Sequence, residues 1–173
     1  MLNDKDYQQR VAAGKSTEKR ILDKLRAAGM KIADPTANED MFDKIDGWLE
    51  KDGKKAAIQV KFREAGDDVI FEIVKDLDRG TPGRDMVSKA EYYVVMDRKG
   101  VIRMFSTAEI KKMADVLLKH VVADLKTSPQ RTEWGGGHNS IAQVKLTVDK
   151  SHGNRKLMAF FNPSRLKSLG EWK

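Results

Sequence analysis

The sequence predicts an α/β protein with a mixed central β-sheet flanked by helices. Three observations predict it: an amphipathic helical pattern near the start, five runs of strand length, and a second amphipathic helix followed by two more strands. The chain has 173 residues, of which 40% are hydrophobic, so it is long enough to bury one core. We expect a flexible N-terminal arm at 1–14, a core at 15–128, and a linker with a β-hairpin extension at 129–173.

The first predicted helix runs from Ser16 to Ala28. Ser16 is a suitable N-cap because its hydroxyl can accept a backbone hydrogen bond, and Gly29 is a suitable stop. The apolar stripe of this helix consists of Ile21, Leu22, Leu25 and Ala28. Such a stripe predicts a helix that packs on a sheet through one face.

Three strands are predicted next. Met41 to Leu49 alternates imperfectly, Asp52-Gly53 predicts a hairpin turn, and Ala56 to Phe62 alternates regularly. Val69 to Val74 is the third strand, and a loop with one short helix near its end follows. The regular strand has apolar Ile58, Val60 and Phe62 on one face and polar Gln59, Lys61 and Arg63 on the other.

The second half of the chain begins with predicted strands at Tyr92 to Met96 and Val101 to Phe105. Ser106 and Glu109 form a capping box that opens a strongly amphipathic helix, and Pro129 ends it. The glycine-rich stretch at 133–140 then predicts a flexible linker. The predicted terminal hairpin comprises Ile141 to Val148 and Leu157 to Phe161.

Composition limits the chemistry that the protein can use. Cysteine is absent, which excludes disulfides, thiol nucleophiles and thiolate metal sites. The three histidines are scattered, so any metal must rely on oxygen ligands, which favours magnesium, manganese or calcium. No secretory signal and no apolar run of membrane-spanning length is visible. We therefore expect a cytoplasmic protein without a membrane partner.

The distribution of charge favours a polyanionic partner. The formal net charge is +7, and both ends of the chain are rich in Lys and Arg, whereas residues 34–52 are mainly acidic. A basic protein with one acidic cluster can contact phosphates over a wide surface and hold a cation at one point. Ordinary scatter of surface charge is the alternative explanation.

Four polar residues are expected to converge. Asp46 lies just before the predicted hairpin, and Gln59 and Lys61 lie two apart on one strand, so they share a face. Glu18 lies on the inward stripe of the first helix, where an acid is costly unless it has a partner.

These residues, in this order of elements, resemble the PD-(D/E)XK phosphodiesterase superfamily, which has the restriction-endonuclease-like fold. The resemblance covers roughly residues 16–122. Asp46 matches the metal-binding aspartate, Gln59-Val60-Lys61 matches the second motif in its glutamine form, and Glu18 matches the helix glutamate. The pattern is similar to small nucleases of the phage type and to junction resolvases, from phage or prokaryotic hosts. It implies a Mg²⁺-dependent deoxyribonuclease, an endonuclease in which Mn²⁺ can substitute for Mg²⁺.

The resemblance also implies a role for each residue. Asp46 would bind the metal as an anion, the Gln59 side chain and the Val60 carbonyl would be neutral ligands, and Glu18 would bind through water. Lys61 would orient the attacking water or stabilise the transition state. Gln59 stands where a carboxylate is commoner, which predicts weaker metal binding. Replacing Gln59 with Glu is accordingly expected to tighten it.

Basic side chains near this site are expected to contact DNA. Arg63 lies on the same strand face as Lys61 and could hold a substrate phosphate. The other candidates lie in or beside loops and would position the backbone without reading sequence. They are Lys15, Arg79, Arg84 and Lys89.

Several alternatives stay open at this point. Asp46 could be a turn residue, Gln59 and Lys61 could lie on a solvated face, and Asp43 is a rival metal ligand. The protein could be a non-catalytic nucleic-acid-binding protein on the same fold, or a resolvase that cuts as a homodimer. RNA is not excluded as the substrate. The string Gln143-Val144-Lys145 repeats the motif, but no strand bearing an aspartate precedes it, so we interpret it as an ordinary strand.

Overall fold

The computed structural model describes residues 4–137, 139–149 and 152–173. Its helices are α1 (Asp4–Ala27), α2 (Arg84–Val87) and α3 (Thr107–Thr127), with a π-helical turn at Glu39–Asp43 and a 3-10 turn at Pro163–Arg165. Its strands, in chain order, are β1 (Lys31–Ala33), β2 (Gly47–Lys51), β3 (Lys54–Phe62), β4 (Val69–Asp76), β5 (Thr81–Pro82), β6 (Tyr92–Met96), β7 (Ile102–Ser106), β8 (Glu133–Gly135), β9 (Ala142–Val148), β10 (Arg155–Phe161) and β11 (Gly170–Trp172).

The architecture is α/β, as predicted, with a mixed sheet and flanking helices. Among the described residues, one sheet has the order β1-β2-β3-β6-β7-β11 and a second has the order β5-β4-β10-β9-β8. In the first sheet β3 and β6 are parallel, whereas the other pairs are antiparallel. A parallel pair needs a crossover connection, and the segment containing β4, β5 and α2 provides it.

The predicted C-terminal hairpin is confirmed, since β9 and β10 pair antiparallel over their full length. β10 also pairs with β4, so the hairpin forms a sheet together with a strand from the first half of the chain. The predicted linker contains the short strand β8, which pairs with β9. His138 of that linker lies outside the described residues.

Two hydrophobic clusters lie on opposite faces of the first sheet. Ile58 and Val60 of β3 pack with Ile21, Leu22 and Leu25 of α1, whereas Ala28 of the predicted stripe is exposed beyond the helix end. Tyr93 and Val95 of β6 belong to the larger cluster, which α3 and the second sheet complete. Because Gln59 pairs in register with Tyr93, and Lys61 with Val95, both polar side chains lie on the side of the larger cluster. The sequence predicted this division of β3 into two faces.

The first helix is longer than predicted. α1 begins at Asp4 rather than Ser16, so the predicted flexible arm is wrong for residues 4–14, and residues 1–3 lie outside the described ones. The segment contains two Gln, two Ala, one Arg and one Lys, which favour helix, and one interior glycine, Gly14, costs only about 1 kcal/mol. The predicted end is confirmed: Gly29 adopts a φ of 91° just beyond Ala27.

The strand predicted at Met41 to Leu49 is partly wrong. Residues 39–43 form the π-helical turn, Lys44 has a φ of 57°, and β2 begins only at Gly47. A capping box opens the turn: the Thr36 N–H donates to Glu39 Oε2 at 2.7 Å, and the Glu39 N–H donates to Thr36 Oγ1 at 3.3 Å. The sequence Thr-x-x-Glu carried that signal, and it explains the imperfect alternation.

The remaining predicted elements are confirmed with small shifts at their ends. β6 has the predicted bounds, α2 is the short helix expected late in its loop, and Ser106 caps α3 by accepting from the Glu109 N–H. The strands that sequence analysis missed have only two or three residues each, too few for a periodic pattern. No helix in the described part of the chain is both long and apolar enough to cross a membrane.

Candidate active site

The site is built around a free stretch of the β3 edge. β2 begins at Gly47, opposite Ile58, while β3 continues to Phe62, so among the described residues no strand covers this side of Val60. Asp46 takes that place: its N–H donates to the Ile58 carbonyl at 2.8 Å, and its Oδ2 accepts from the Val60 N–H at 2.7 Å. The Val60 carbonyl faces the same side, because the N–H and C=O of one strand residue project together.

Asp46 contributes a carboxylate oxygen that is buried and unpaired. The residue is 6% exposed, and no described group hydrogen-bonds to its Oδ1. Burial raises the pKa of Asp46, although the Val60 N–H and the charges of Lys61 and Arg84 lower it. An acceptor buried without a partner is rare and costly, which is typical of a position that receives a proton or a cation.

Gln59 contributes a second oxygen of this kind. The residue is 0% exposed, its Nε2 donates to Asp85 Oδ1 at 3.0 Å, and its Oε1 has no partner in the described part of the chain. A carboxylate can only accept, so Asp85 fixes which end of the amide is the nitrogen. The Gln59 oxygen therefore points away from Asp85.

Lys61 is the cation of the site. Its Nζ lies 3.4 Å from Asp85 Oδ1, and its side chain is 21% exposed. Asp85 in turn accepts from the Glu72 N–H through Oδ2 at 2.7 Å, so it is tied to β4. Lys61 thus has an ordered partner on one side and access to solvent on the other.

Glu18 joins the group from α1. It lines a cavity of about 330 Å³ together with Asp46, and a second cavity of about 450 Å³ together with Val60 and Lys61. Burial, and next the charge of Asp46, raise the pKa of Glu18 to about 7, while Arg84 and Lys61 lower it. Glu18 is therefore close enough to Asp46 and Lys61 to share their electrostatic field.

Asp43, the rival metal ligand, lies elsewhere. It belongs to the π-helical turn, where its Oδ1 pairs with Lys89 Nζ at 2.7 Å. Asp43 therefore already has a cationic partner outside the site.

The candidate ligands around Val60 are oxygens, the type of atom that a hard cation binds. They belong to the Asp46 and Glu18 carboxylates, the Gln59 amide and the Val60 carbonyl. The described residues contain no group of three or more His, Cys, Asp or Glu that could hold a metal ion. The two buried and unpaired oxygens, of Asp46 and Gln59, are the feature that fits a cation.

The predicted DNA-contacting residues have different surroundings. Lys15 lines the cavity that Glu18 shares with Asp46, and it pairs with Asp40 at 3.5 Å. The exposed Arg84 acts electrostatically on both Glu18 and Asp46. Arg63 instead pairs with Asp68 at 2.5 Å and lies over the Phe160 ring. Arg79 pairs with Asp76, and Lys89 pairs with Asp43, as described above.

Sequence reasoning missed Asp85, which holds Gln59 and Lys61 together. Gly83 allows α2 to lie there, because a Cβ at this position would come within 2.1 Å of the Glu72 carbonyl oxygen. That close approach is tertiary, and no spacing in the sequence connects residue 85 to residue 59. An acid in the first turn of a helix was the only local signal.

Comparisons with known proteins add no relative. No family model, no curated protein and no solved structure matches the chain. The resemblance to PD-(D/E)XK phosphodiesterases therefore rests on the order of elements and on the residues of this site.

Proposed function

We propose that the protein is a metal-dependent deoxyribonuclease with a restriction-endonuclease-like core, which hydrolyses phosphodiester bonds within DNA. Mg²⁺ is the proposed ion, and Mn²⁺ a substitute. One observation carries the proposal. Two buried oxygens, Asp46 Oδ1 and Gln59 Oε1, have no partner among the described residues, Val60 lies at a free edge of β3, and Lys61 follows it on the same strand.

The chain's own residues divide the work. Asp46, Gln59, the Val60 carbonyl and Glu18 would hold the ion, which when bound neutralises charge on the phosphate and acidifies a water. Lys61 holds its ammonium beside Asp85 on a partly exposed side chain, and it can orient the attacking water or stabilise negative charge that develops on the phosphate. Asp85 keeps that ammonium in place.

Glu18 has a second capability. A carboxyl group whose pKa is about 7 is well placed to accept a proton at neutral pH, because a general base works best near the operating pH. We assign to Glu18 the acceptance of the proton released by the attacking water. Its position between the two cavities supports this role.

DNA would be held by cations around the cleft. Lys15 lines the cavity that Glu18 and Asp46 share, Arg84 acts electrostatically on both carboxylates, and Arg79 and Lys89 are further candidates. Contacts of this kind neutralise phosphates and position the duplex without reading its sequence. The net charge of +7 agrees with such a surface.

The test is direct. Supercoiled plasmid and branched DNA are incubated with the protein in Mg²⁺ or Mn²⁺, with EDTA and the Asp46→Asn variant as controls. Nicking or linearisation that requires both the metal and Asp46 supports the proposal. Intact DNA in every metal would exclude it.

A non-catalytic DNA-binding protein is the second candidate. The two-carboxylate site favours it, since metal nucleases commonly depend on more negative charge than a neutral glutamine supplies. Binding of duplex DNA that is unchanged by EDTA, without cleavage, would identify this function. Cleavage of branched DNA by a dimer, measured by sedimentation, would identify a resolvase.

A further inference from the structure

Asp85 connects the two motif residues of β3. Its Oδ1 lies 3.0 Å from Gln59 Nε2 and 3.4 Å from Lys61 Nζ, and its Oδ2 accepts from the Glu72 N–H. The residue is 4% exposed. The carboxylate that is missing at position 59 is therefore supplied by Asp85, one hydrogen bond away from Gln59.

We propose that Asp85 is a positioning residue that makes the Gln59 form of the site workable. It binds the Gln59 nitrogen, which leaves the Gln59 oxygen free to accept a cation, and it supplies the negative charge that holds Lys61. The catalytic part of this inference rests on the proposed nuclease function. The pairing of Gln59 with Asp85 does not.

The pairing reverses the expectation for Gln59→Glu. A carboxylate introduced at position 59 would stand about 3 Å from that of Asp85, and two carboxylates so close cannot both be ionised. We therefore expect this single variant to lose stability and cleavage, instead of gaining metal affinity.

Asp85→Asn is expected to fail in another way. The introduced amide can still accept from the Glu72 N–H, but its NH₂ group would face the Gln59 NH₂ group. The Gln59 amide would then rotate, which replaces its free oxygen by a nitrogen donor that cannot bind a cation.

The double variant Gln59→Glu/Asp85→Asn is expected to recover what each single variant loses. The introduced carboxylate can accept from the introduced amide and keep its other oxygen free for a cation. The result is the commoner carboxylate form of the motif. This reciprocal rescue is specific to a direct contact between the two side chains.

The experiment compares wild type, both single variants and the double variant by cleavage rate, by Mg²⁺ affinity from calorimetry, and by thermal unfolding. Asp97→Asn is the matched control, because Asp97 is also 4% exposed, accepts from backbone N–H groups and pairs with a cation, Arg103. We expect each single variant to lose about 10- to 100-fold in Mg²⁺ affinity or activity, and the double variant to recover most of that loss. Asp97→Asn should reduce stability without reducing Mg²⁺ affinity.

A pH series keeps the test valid if Asp85→Asn does not fold. In Gln59→Glu the carboxylate pair keeps a proton in the folded state at a pH where the unfolded chain has lost it. The stability that this shared proton contributes is therefore present at low pH and is lost as the pH rises. The other charged or titratable groups near Asp85 are the same in every variant: Lys61, Arg84, Tyr93 and Lys111.

Two results would overturn the inference. They are strictly additive effects of the two substitutions on thermal unfolding, and Asp85→Asn with the Mg²⁺ affinity and cleavage rate of wild type. If wild type cleaves no DNA, the nuclease function fails. The double-mutant cycle measured by thermal unfolding then decides alone whether Gln59 and Asp85 are paired.

Discussion

The string Gln-Val-Lys occurs twice in this chain, and the two copies have similar local contacts. On β3, Gln59 and Lys61 share the carboxylate of Asp85; on β9, Gln143 and Lys145 share that of Glu133. In each copy the valine is buried in a hydrophobic cluster. Alternation along a strand is sufficient to produce this arrangement.

The two copies differ in their surroundings. The Glu133 side chain is 58% exposed, whereas Asp85 is buried. Val144 is paired on both sides, with Trp134 of β8 and Ala159 of β10. Within the described part of the chain, Val60 has a strand only on the β6 side and receives Asp46 on the other. An identical string therefore becomes a candidate site only where an edge is free and the acid is desolvated.

The largest expected effect separates the two lysines. Lys61→Ala should lower cleavage by about a hundredfold or more, because it removes a positioned charge beside the reacting phosphate. The matched variant Lys145→Ala removes the same side chain from the other copy and should leave the rate unchanged. Single-turnover cleavage of plasmid DNA, with circular dichroism to verify folding, measures both. Equal rates for wild type and Lys61→Ala would remove Lys61 from the mechanism.

Asp46→Asn is expected to stop metal-dependent cleavage with little change in fold. The introduced amide oxygen can still accept from the Val60 N–H, so the edge of β3 stays capped. What is lost is the negative charge of the Asp46 carboxylate, whose Oδ1 has no partner in the described part of the chain. Calorimetry should show weaker Mg²⁺ binding. Glu133→Gln, which neutralises the acid of the other copy, is the control and should bind Mg²⁺ as wild type does.

The sequence predicted β3 well and its surroundings less well. The alternation of Ile58 to Lys61 fixed the two faces of the strand, because burial of one face leaves a single register. The start of β2 was not predictable from alternation, since the capping box at Thr36 competes with strand formation and moves Asp46 out of the strand. Asp85 was beyond local reasoning because it reaches Gln59 through tertiary packing.

A smaller effect concerns Glu18, which has no counterpart on β9. Glu18 must be ionised to bind the ion or to accept a proton, so its pKa of about 7 in the metal-free protein predicts that Mg²⁺ binding, and with it cleavage, increases as the pH rises through about 7. Glu18→Gln should lower the rate and flatten this limb of the profile.

The raised pKa of Glu18 has an opposite effect on stability: the contribution of Glu18 is present at low pH and is lost as the pH rises through about 7. Glu18→Gln should thus melt higher than wild type near pH 8, and a lower melting temperature there would contradict burial as the cause.

The smallest expected effect is on the salt dependence of DNA binding. Affinity should fall steeply with salt, because Lys and Arg contacts release counterions from the phosphate backbone, with a slope of about −0.9 per phosphate neutralised. Arg84 is exposed beside the cleft, so Arg84→Ala should reduce that slope by about one unit.

Two other variants serve as controls. Arg63→Ala should change the slope less, because that guanidinium already pairs with Asp68 and lies over Phe160. Lys145→Ala tests the second copy of the string in the same way, since its ammonium pairs with Glu133 and lies near the same ring. Fluorescence anisotropy with a short duplex across a salt series measures all three slopes. A slope that decreases equally in the three variants would mean that DNA covers both sheets, and the cleft would then no longer be distinguished from the β9 surface as a binding site.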